Sequence, residues 1–519
     1  MSQIPGQFRY NAYRILEYAG VRFLSGEVLL MRVYLANPPW TEEGKDDRYG
    51  VRAGSRWPHF EDSISSYCPF PFFLAYTAAL LERNTITVRL RDSIAEKDSL
   101  PVFLNDVASF RPDLIIIETS TPSIHSDLDL CRTLGNRWPD LKIALAGPHS
   151  EMFTPAFMSD HSGIFAVLIG EYEHIALELA QALESGQSLD SVAGLIYRHG
   201  DSVVCTPARS LIENLDELPF PARHLLNMDQ YQDLFCELPG PSLQIIASRG
   251  CPFQCIFCSW PQVMYGSHRY RVRSAANILD EIEQSLERYN IRSIYFDDDT
   301  FNIGEQRVID IANEFLRRGI HVPWAVMARA DTMTEAMLRR MKAAGLAAVK
   351  YGIESTTQSI LDRAKKKLDL RKAEEVIGLT RSLGIKVHLT FCFGLPGETK
   401  DTINQTIDDA IRLNPDSVQF SIVTPYPGSE YFDTLDREGR ILTKDWREYD
   451  GGSQAVFETD TLSRADLAEA LRVAYLRWQM HSLRKSFFRR FFFFFSEAVR
   501  HPVRSMHYLW KMAFAPKHV

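Results

Sequence analysis

The chain has 519 residues, of which 45% are hydrophobic, which excludes a disordered chain and supplies core for about three domains of roughly 150 residues. The formal net charge is −8, with 58 Lys and Arg against 66 Asp and Glu, so no general nucleic-acid-binding surface is expected. The N-terminus lacks the charged start and apolar run of a signal peptide, and no stretch reaches the roughly 20 apolar residues of a membrane-spanning helix. We therefore expect a cytoplasmic protein.

The N-terminal part alternates short runs of branched residues with helical patterns. The runs are "MRVYLANPP" (31–39), "ITVRL" (86–90), "LIIIETS" (114–120), "KIALAGP" (142–148) and "FAVLIGE" (165–171). After an N-terminal extension at 1–30, this alternation predicts a Rossmann-like, doubly wound parallel sheet within residues 31–200. Ligands of such sheets bind at the carboxyl ends of the strands. The candidate contacts there are Ser120, Thr121, Gly147, Pro148, Gly170 and Glu171.

A proline-rich and charged stretch without clear periodicity, "LIENLDELPFPARHLL" (211–226), indicates a linker within residues 201–240. A second alternation follows within 241–430, and residues 431–519 read as a helical region. Six strands are predicted in the second alternation, at 243–248, 293–297, 322–327, 347–351, 385–393 and 417–423. Six strand-helix units predict a partial (β/α)6 TIM-like barrel, and the polar residues after each strand are expected on one rim.

Three of the eight cysteines are clustered, in "SRGCPFQCIFCSWPQ" (248–262), directly after the first barrel strand. Cys251, Cys255 and Cys258 can wrap one side of a metal centre, whereas a structural zinc site requires four protein ligands. The alternative of structural zinc would need a fourth ligand. The candidates for it are Cys236, Cys392 and His268. A 4Fe-4S cluster held by three cysteines instead leaves one iron open to an external ligand.

The cysteine spacing CxxxCxxC, with Phe257 before the last cysteine, resembles the hallmark of the radical S-adenosylmethionine (SAM) superfamily. The resemblance implies that Cys251, Cys255 and Cys258 hold a 4Fe-4S cluster, whose open iron is chelated by SAM. It also implies that one electron from the cluster cleaves SAM to methionine and a 5'-deoxyadenosyl radical, with Phe257 packing on the adenine.

Further segments carry the same resemblance. "YGIESTTQ" is similar to the family's fourth-strand segment and implies that Glu354 and Ser355 bind the ribose hydroxyls or the methionine amine. The segment "FCFGLPGET" is similar to the fifth-strand segment. Its implied SAM contacts are Gly394, Gly397 and Glu398. The second strand departs from the family's Gly-Gly-Glu with "FDDDTF", so the amine contact falls to Asp298 or a neighbour; a divalent cation at these carboxylates is the alternative.

The first domain resembles the cobalamin-binding domain that precedes the barrel in one branch of the superfamily, on the motifs "NPPW", "AGPH", "GEYE" and "LDELPFPARHLL". The resemblance implies cobalamin as a cofactor at the strand ends named above. The cobalt-binding motif DxHxxG is absent, and His125 and His149 do not fit it. The axial ligand of the cobalt is therefore open.

The resemblance implies an enzyme that methylates an unactivated carbon of a small-molecule or lipid substrate, with an electron donor such as flavodoxin or ferredoxin. The alternatives are a radical SAM cyclase or oxidoreductase of lipid, isoprenoid, tetrapyrrole or natural-product biosynthesis, and a non-catalytic iron-sulfur protein. The sequence assigns no catalytic side chain.

The C-terminal tail, residues 481–519, contains eight Lys or Arg and one Glu among many aromatic residues. Such a segment can cap the barrel, with its arginines reaching water, which we favour. The alternative is peripheral contact with an anionic membrane surface.

Overall fold

The structure is a computed structural model that describes residues 23–24, 27–28, 31–40, 67–149, 152–233, 235–236, 238–452 and 454–500, with side chains up to residue 485. Most of the predicted N-terminal extension and residues 501–519 of the C-terminal tail lie outside these described residues. A parallel sheet organises each half of the chain, which confirms the predicted α/β class.

The N-terminal half forms a seven-stranded sheet in the order β10-β9-β8-β7-β6-β3-β5. Its strands, with two short additional pairs, are β1 (Phe23–Leu24), β2 (Glu27–Val28), β3 (Arg32–Asn37), β4 (Tyr67–Cys68), β5 (Thr87–Asp92), β6 (Leu114–Glu118), β7 (Lys142–Ala146), β8 (Ala166–Leu168), β9 (Leu195–His199), β10 (Ser202–Cys205) and β11 (Gln232–Asp233). The five expected strands pair in parallel. All five residues of β6 are buried, because helices cover both faces of a doubly wound sheet.

The sheet is larger than predicted, because the sequence analysis missed an antiparallel edge. β9 and β10 form a hairpin in which Ser202 faces His199, and β9 adds to β8. Gly200 lies in the turn with a positive φ of 58°, a conformation that glycine adopts without a Cβ clash. The Gly200-Asp201 pair between two apolar runs was the available hairpin signal.

The C-terminal half contains six parallel strands in the order β12-β15-β16-β17-β18-β19, which follows the chain as a partial (β/α)6 barrel does. The strands of this half are β12 (Ser242–Ile245), β13 (Ser248–Arg249), β14 (Arg271–Val272), β15 (Ser293–Phe296), β16 (Trp324–Ala328), β17 (Leu346–Glu354), β18 (Lys386–Phe393) and β19 (Ser417–Ile422). The first predicted strand, 243–248, is divided: β12 ends at Ile245, and β13 pairs antiparallel with β14 across the cysteine loop.

Helices separate the strands of both sheets. They are α1 (Phe72–Arg83), α2 (Leu100–Phe110), α3 (Ile124–Arg137), α4 (Pro155–Asp160), α5 (Glu173–Ser185), α6 (Ala275–Arg288), α7 (Glu305–Arg318), α8 (Glu335–Ala343), α9 (Gln358–Arg363), α10 (Leu370–Ser382), α11 (Lys400–Leu413), α12 (Glu430–Arg437) and α13 (Arg464–Arg500). Short helical turns add Thr121–Ser123, Leu189–Ser191, Leu215–Glu217, Arg223–Leu225, Met228–Gln230, Trp260–Met264 and Trp446–Glu448.

The long helix α13 covers the edge strand β19. The Tyr475 hydroxyl donates to the carbonyl of Phe420 at 2.8 Å and accepts from its amide at 3.2 Å, which occupies both polar groups of an edge residue. Further along, His481 Nε2 lies 3.0 Å from Asn414 Oδ1, and Lys485 Nζ donates to the carbonyl of Pro415 at 3.3 Å. The described start of the C-terminal tail therefore packs on the barrel. Among the residues described, none of the helices is long and apolar enough to span a membrane.

Candidate active site

The cysteine loop leaves the barrel rim between β13 and β14. Gly250 has a φ of 84°, and a Cβ there would lie 2.0 Å from the carbonyl oxygen of Arg269, so only glycine fits. Its amide donates to Asp299 Oδ2 at 2.8 Å, which ties the loop to the acidic segment after β15. The Cys258 amide donates to the Cys255 carbonyl at 3.2 Å, and Gln262 Nε2 donates to the Cys258 carbonyl at 2.6 Å. The loop is thus held through its backbone amides and carbonyls, while Cys251 Sγ lies 3.4 Å from Thr300 Oγ1.

The three clustered cysteines line one cleft at the carboxyl ends of the barrel strands. The empty space of this cleft, including its solvent-open mouth, is ≈ 1260 Å³. It is lined by Cys251, Phe253, Cys255, Phe257, Cys258, Ser259, Trp260, Asp299, Thr300, Met327, Ala328, Arg329, Lys350, Gly352, Glu354, Lys366, Thr390, Cys392, Gln419, Ser421, Ile422, Val423, Thr424, Tyr426 and Gly451. Burial raises the pKa of Cys251 and of Cys255, so both are thiols until a metal centre displaces their protons.

The donor set fits an iron-sulfur cluster better than a single ion. Within the described residues, no three His, Cys, Asp or Glu side chains are close enough together to bind one metal ion. This spacing does not support the zinc alternative or the divalent-cation alternative, both of which need ligands converging on one point. Each thiolate of a cubane cluster binds a different iron, so three thiols spread around one cleft suit it.

Glu354 faces the cysteines across the cleft, at the end of β17. It has a φ of 71°, unusual for a residue with a side chain, and the register with β18 shifts between Gly352 and Glu354. This bulge turns the carboxylate into the cleft, where Lys366 Nζ donates to Glu354 Oε1 at 2.9 Å. A Cβ on Gly352 would lie 2.6 Å from Glu354 Oε1, so glycine makes room for the carboxylate.

The residues expected to contact SAM occupy two different places. Phe257 and Glu354 line the cleft. Asp298 is fully buried behind it and accepts hydrogen bonds from the Ala247 amide and the Ser248 hydroxyl, whereas its neighbour Asp299 lines the cleft. Ser355 is also buried, and its Oγ accepts from the Thr357 amide at 3.3 Å.

The "GLPGE" turn lies behind the cleft wall in this structure. A Cβ on Gly394 would meet the Phe457 ring at 2.7 Å, and one on Gly397 would meet the Arg363 guanidinium at 1.9 Å. Glu398 is buried and accepts from the Gly394 amide at 2.6 Å and the Leu395 amide at 3.2 Å. These three residues shape the turn after β18 rather than line the described cleft.

Two cationic residues of the cleft were not found by sequence analysis. Lys366 comes from the loop after α9, and Lys350 comes from the middle of β17 with its ammonium 5.8 Å from the centre of the Phe235 ring. Lys366 lies in a run of three lysines that reads as solvent-exposed, and only the fold shows that its middle member is buried. Lys350 carried a signal in the sequence, because it is a charged residue in the middle of a mostly apolar predicted strand, two positions before Gly352.

The predicted corrin contacts lie at the carboxyl ends of the first sheet. Thr121 Oγ1 is 3.1 Å from Nδ1 of the buried His149, whose ring packs edge-on against Trp446 with centroids 5.7 Å apart. Ser120 caps the turn that begins at Thr121, and a Cβ on Gly147 would lie 2.4 Å from the carbonyl oxygen of Thr119. Pro148 follows in the same loop. The C-terminal segment thus reaches the strand ends of the first domain.

Glu171 and Gly170 lie where the two domains meet. The Glu171 carboxylate binds Arg249 at 3.0 Å, Arg271 at 2.7 Å and the Ile212 amide at 3.0 Å. These partners hold the pKa of Glu171 low although burial opposes its charge. A Cβ on Gly170 would lie 3.3 Å from the Met264 carbonyl oxygen in the barrel. Glu171 therefore joins the domains through its side chain.

Comparisons with known proteins place these features in a family context. The family model described as "Radical SAM superfamily" matches residues 245–410, which include the three cysteines and Glu354. An uncharacterized methyltransferase, PH0819 of Pyrococcus horikoshii, is 31% identical over 434 residues, covering 83% of this chain and 92% of that protein. The anaerobic magnesium-protoporphyrin IX monomethyl ester cyclase of Rubrivivax gelatinosus is 26% identical over 439 residues, covering 83% and 75%.

Among solved structures, the fold is similar to that of TsrM from Kitasatospora setae, a radical S-adenosylmethionine methyltransferase determined with cobalamin and a [4Fe-4S] cluster bound. The TM-score is 0.62 at 19% identity, and the match covers 79% of this chain and 78% of TsrM. The likeness spans both sheets and concerns the fold.

Proposed function

The chain belongs to the radical SAM superfamily, and we propose that it is a cobalamin-dependent methyltransferase with a cobalamin-binding first domain, acting on an unactivated carbon. It is an enzyme with a 4Fe-4S cluster and SAM as cofactors and a small-molecule substrate. The observation that carries the proposal is one cleft in which Cys251, Cys255 and Cys258 face Glu354 at the carboxyl ends of the barrel strands.

Within this cleft the chain's residues would bind and orient the cofactors. Cys251, Cys255 and Cys258 hold the cluster. Glu354 would accept hydrogen bonds from the ribose hydroxyls or the amine of SAM, and Phe257 would pack on the adenine. When bound, the cluster and SAM supply a radical that removes hydrogen from carbon, and cobalamin supplies the methyl group.

The acidic segment after β15 contains Asp298 and its neighbour Asp299, either of which the sequence allowed as the contact for the SAM amine. Asp299 lines the cleft and already accepts from the Gly250 amide at one oxygen. Asp298 supports the strand instead, since its carboxylate binds Ala247 and Ser248. We therefore place the amine contact at Asp299, with Ser355, Gly394, Gly397 and Glu398 supporting the wall.

Cobalamin would lie over the strand ends of the first sheet, at Ser120, Thr121, Gly147, Pro148 and Gly170. Two observations support this place: it is the edge at which open parallel sheets bind ligands, and the similar fold of TsrM was determined with cobalamin. Methyl transfer requires cobalt near the substrate, so the corrin would face the barrel mouth.

A second candidate is ring formation, which the 26% identity to a magnesium-protoporphyrin monomethyl ester cyclase favours. The electron donor would be a flavodoxin or ferredoxin. If residues 481–519 contacted a membrane, a lipid or isoprenoid substrate would be favoured. The packing of His481 and Lys485 on the barrel instead favours a tail that caps the barrel.

The proposal is tested by anaerobic reconstitution with iron, sulfide and hydroxocobalamin, followed by SAM and dithionite. We expect 5'-deoxyadenosine together with S-adenosylhomocysteine, because restoring the methyl group on cobalamin consumes a second SAM. Deoxyadenosine without S-adenosylhomocysteine would favour the cyclase, and neither product from cluster-loaded protein would contradict a radical SAM enzyme.

A further inference from the structure

Lys366 is a buried cation that lines the same cleft as the three cysteines and Glu354. Its side chain is 8% exposed, and its Nζ donates to Glu354 Oε1 at 2.9 Å. An ammonium has three N–H donors, so this bond leaves donor capacity toward the cleft that Cys255 also lines. The residue lies outside every motif that the sequence analysis connected with SAM or the cluster.

The loop that carries Lys366 has an unusual backbone conformation on both sides of this residue. Lys365 and Lys367 both have left-handed backbone conformations, with φ of 51° and 49°. Such conformations cost free energy in residues with a side chain and persist where the surroundings fix them. Glu354 has a positive φ as well, so both members of the buried pair depend on unusual backbone geometry.

This loop is also fastened to the cysteine loop and to the neighbouring strand. The Ile256 amide, next to Cys255, donates to the Ala364 carbonyl at 3.1 Å. Arg329 Nη1 donates to the carbonyl of Lys366 at 3.0 Å. Lys366 is therefore held at a fixed position relative to Cys255 by backbone hydrogen bonds that do not involve its own side chain.

Lys366 differs from Arg329, which also lines the cleft and contacts the loop of Lys366. Arg329 pairs with Asp331 at 2.7 Å and lies over the Phe253 ring at 3.7 Å. Burial disfavours the charge of Lys366, but Glu354 and Cys255 outweigh it and raise its pKa. Lys366 thus brings a permanent positive charge into a poorly solvated cleft, where charge interactions are stronger than in water.

We infer that Lys366 raises the reduction potential of the cluster held by Cys251, Cys255 and Cys258, with Glu354 as the opposing charge. The inference rests on the proposed function. Reduction adds one electron, taken from dithionite, and moves no proton, so the cluster gains one negative charge. A fixed cation near a ligating sulfur stabilises that product, since charge and hydrogen bonding near the sulfurs set cluster potentials. Lys366 is a positioning residue in this role.

The test is a potentiometric titration of the reconstituted cluster without SAM, followed by electron paramagnetic resonance of the reduced form. Lys366→Met, which keeps the length of the side chain and removes its charge, is expected to shift the midpoint to a more negative potential. Glu354→Gln, which keeps the cation and removes the carboxylate charge, is expected to shift it in the positive direction. Lys366→Arg keeps the charge and should stay near the wild-type value.

The neighbouring residue provides a matched control. Lys365 pairs with Glu430 at the surface and is 45% exposed, so Lys365→Met should leave the midpoint unchanged because solvent screens it. An unchanged midpoint in Lys366→Met, or an equal shift in Lys365→Met, would overturn the inference. If the Lys366→Met protein does not hold the cluster, the midpoint potential of Glu354→Gln becomes the test. A Glu354→Gln midpoint without a positive shift would then overturn the inference. If the wild-type protein formed no cluster, the result would instead contradict the proposed function.

Discussion

Arg249 Nη2 lies 2.6 Å from Glu173 Oε1, and the two side chains are 1% and 0% exposed. Arg249 stands two residues before Cys251, whereas Glu173 begins a helix of the first domain. The guanidinium also lies over the rings of Phe73 and Tyr76, at 4.8 and 5.2 Å. The strand that leads into the cysteine loop is therefore anchored in the other domain.

Arg249→Met is expected to destabilise the protein by about 3–5 kcal/mol, because it leaves Glu173 as a buried charge without this partner. The free energy of unfolding from urea denaturation measures the change. Arg269→Met is the control: its pair with Glu213 is about 60% exposed and is worth at most ~1 kcal/mol. Adding Glu173→Gln to Arg249→Met should recover part of the loss, and no recovery would argue against the charge as the cause.

Replacing Cys251, Cys255 or Cys258 by Ala should each abolish the visible absorbance of the reconstituted cluster. Cys392→Ala should keep it, although Cys392 lines the same cleft. Burial, with Glu354 and Glu398 nearby, raises the pKa of Cys392 well above its ordinary value and disfavours a thiolate ligand. Iron content per chain is the second readout, and loss of iron in Cys392→Ala alone would reassign the ligands.

Glu354→Ala should weaken SAM binding by roughly tenfold to a hundredfold while the iron content stays constant, as expected for loss of a charged hydrogen-bonding partner. Gly352→Ala should act in the same direction, because its Cβ displaces Glu354 Oε1. Gly378→Ala, where a Cβ meets nothing within 4 Å, is the control. Equilibrium dialysis of the cluster-loaded protein gives the dissociation constants, and wild-type affinity in Glu354→Ala would place this carboxylate outside the SAM site.

Burial raises the pKa of Glu398 to about 8, against the opposing effect of hydrogen bonds from the Gly394 and Leu395 amides. The folded state thus binds a proton that the unfolded state releases near pH 4.5. This contribution to stability is complete below pH 4.5, falls as the pH rises and is lost above about pH 8, at about 1.4 kcal/mol per pH unit.

Glu398→Gln should remove this part of the pH dependence, so that the variant gains stability relative to wild type between pH 5 and pH 9. Urea denaturation at several pH values measures it. The exposed Glu375 supplies the matched control, and Glu375→Gln should follow the wild-type curve. Parallel curves for wild type and Glu398→Gln would show that the carboxyl is ionised in the folded protein.

Bound cobalt(II) cobalamin is expected to have no nitrogen ligand from the chain. His149 is the histidine at the predicted site, but its Nδ1 lies on Thr121 and its ring packs against Phe153 and Trp446. Electron paramagnetic resonance of protein with ¹⁵N-labelled histidine should be identical to that of unlabelled protein. If the axial cobalt lines were each split into a triplet in unlabelled protein and into a doublet in labelled protein, a histidine ligand would be identified.

The sequence by itself determined the features that rest on local pattern. The alternation of apolar runs and helical stretches predicted two parallel sheets, because buried strands and amphipathic helices have different periods. The spacing of Cys251, Cys255 and Cys258 predicted a cluster site, since three cysteines within eight positions belong to one loop and line the same cleft. Their place after a barrel strand also indicated which rim carries the site.

Only the tertiary structure decided which neighbouring residue turns inward. Asp298 and Asp299 are alike in sequence and follow β15 in the same loop, yet Asp298 supports the strand and Asp299 lines the cleft. Lys365 and Lys366 are likewise adjacent in sequence, yet Lys365 is exposed and Lys366 is buried, in a loop that contains residues with left-handed backbone conformations. Glu171 carried the sequence signal of a ligand contact, but it meets arginines 78 and 100 residues later in the chain. Such long-range pairings depend on how the two domains pack, which local periodicity does not encode.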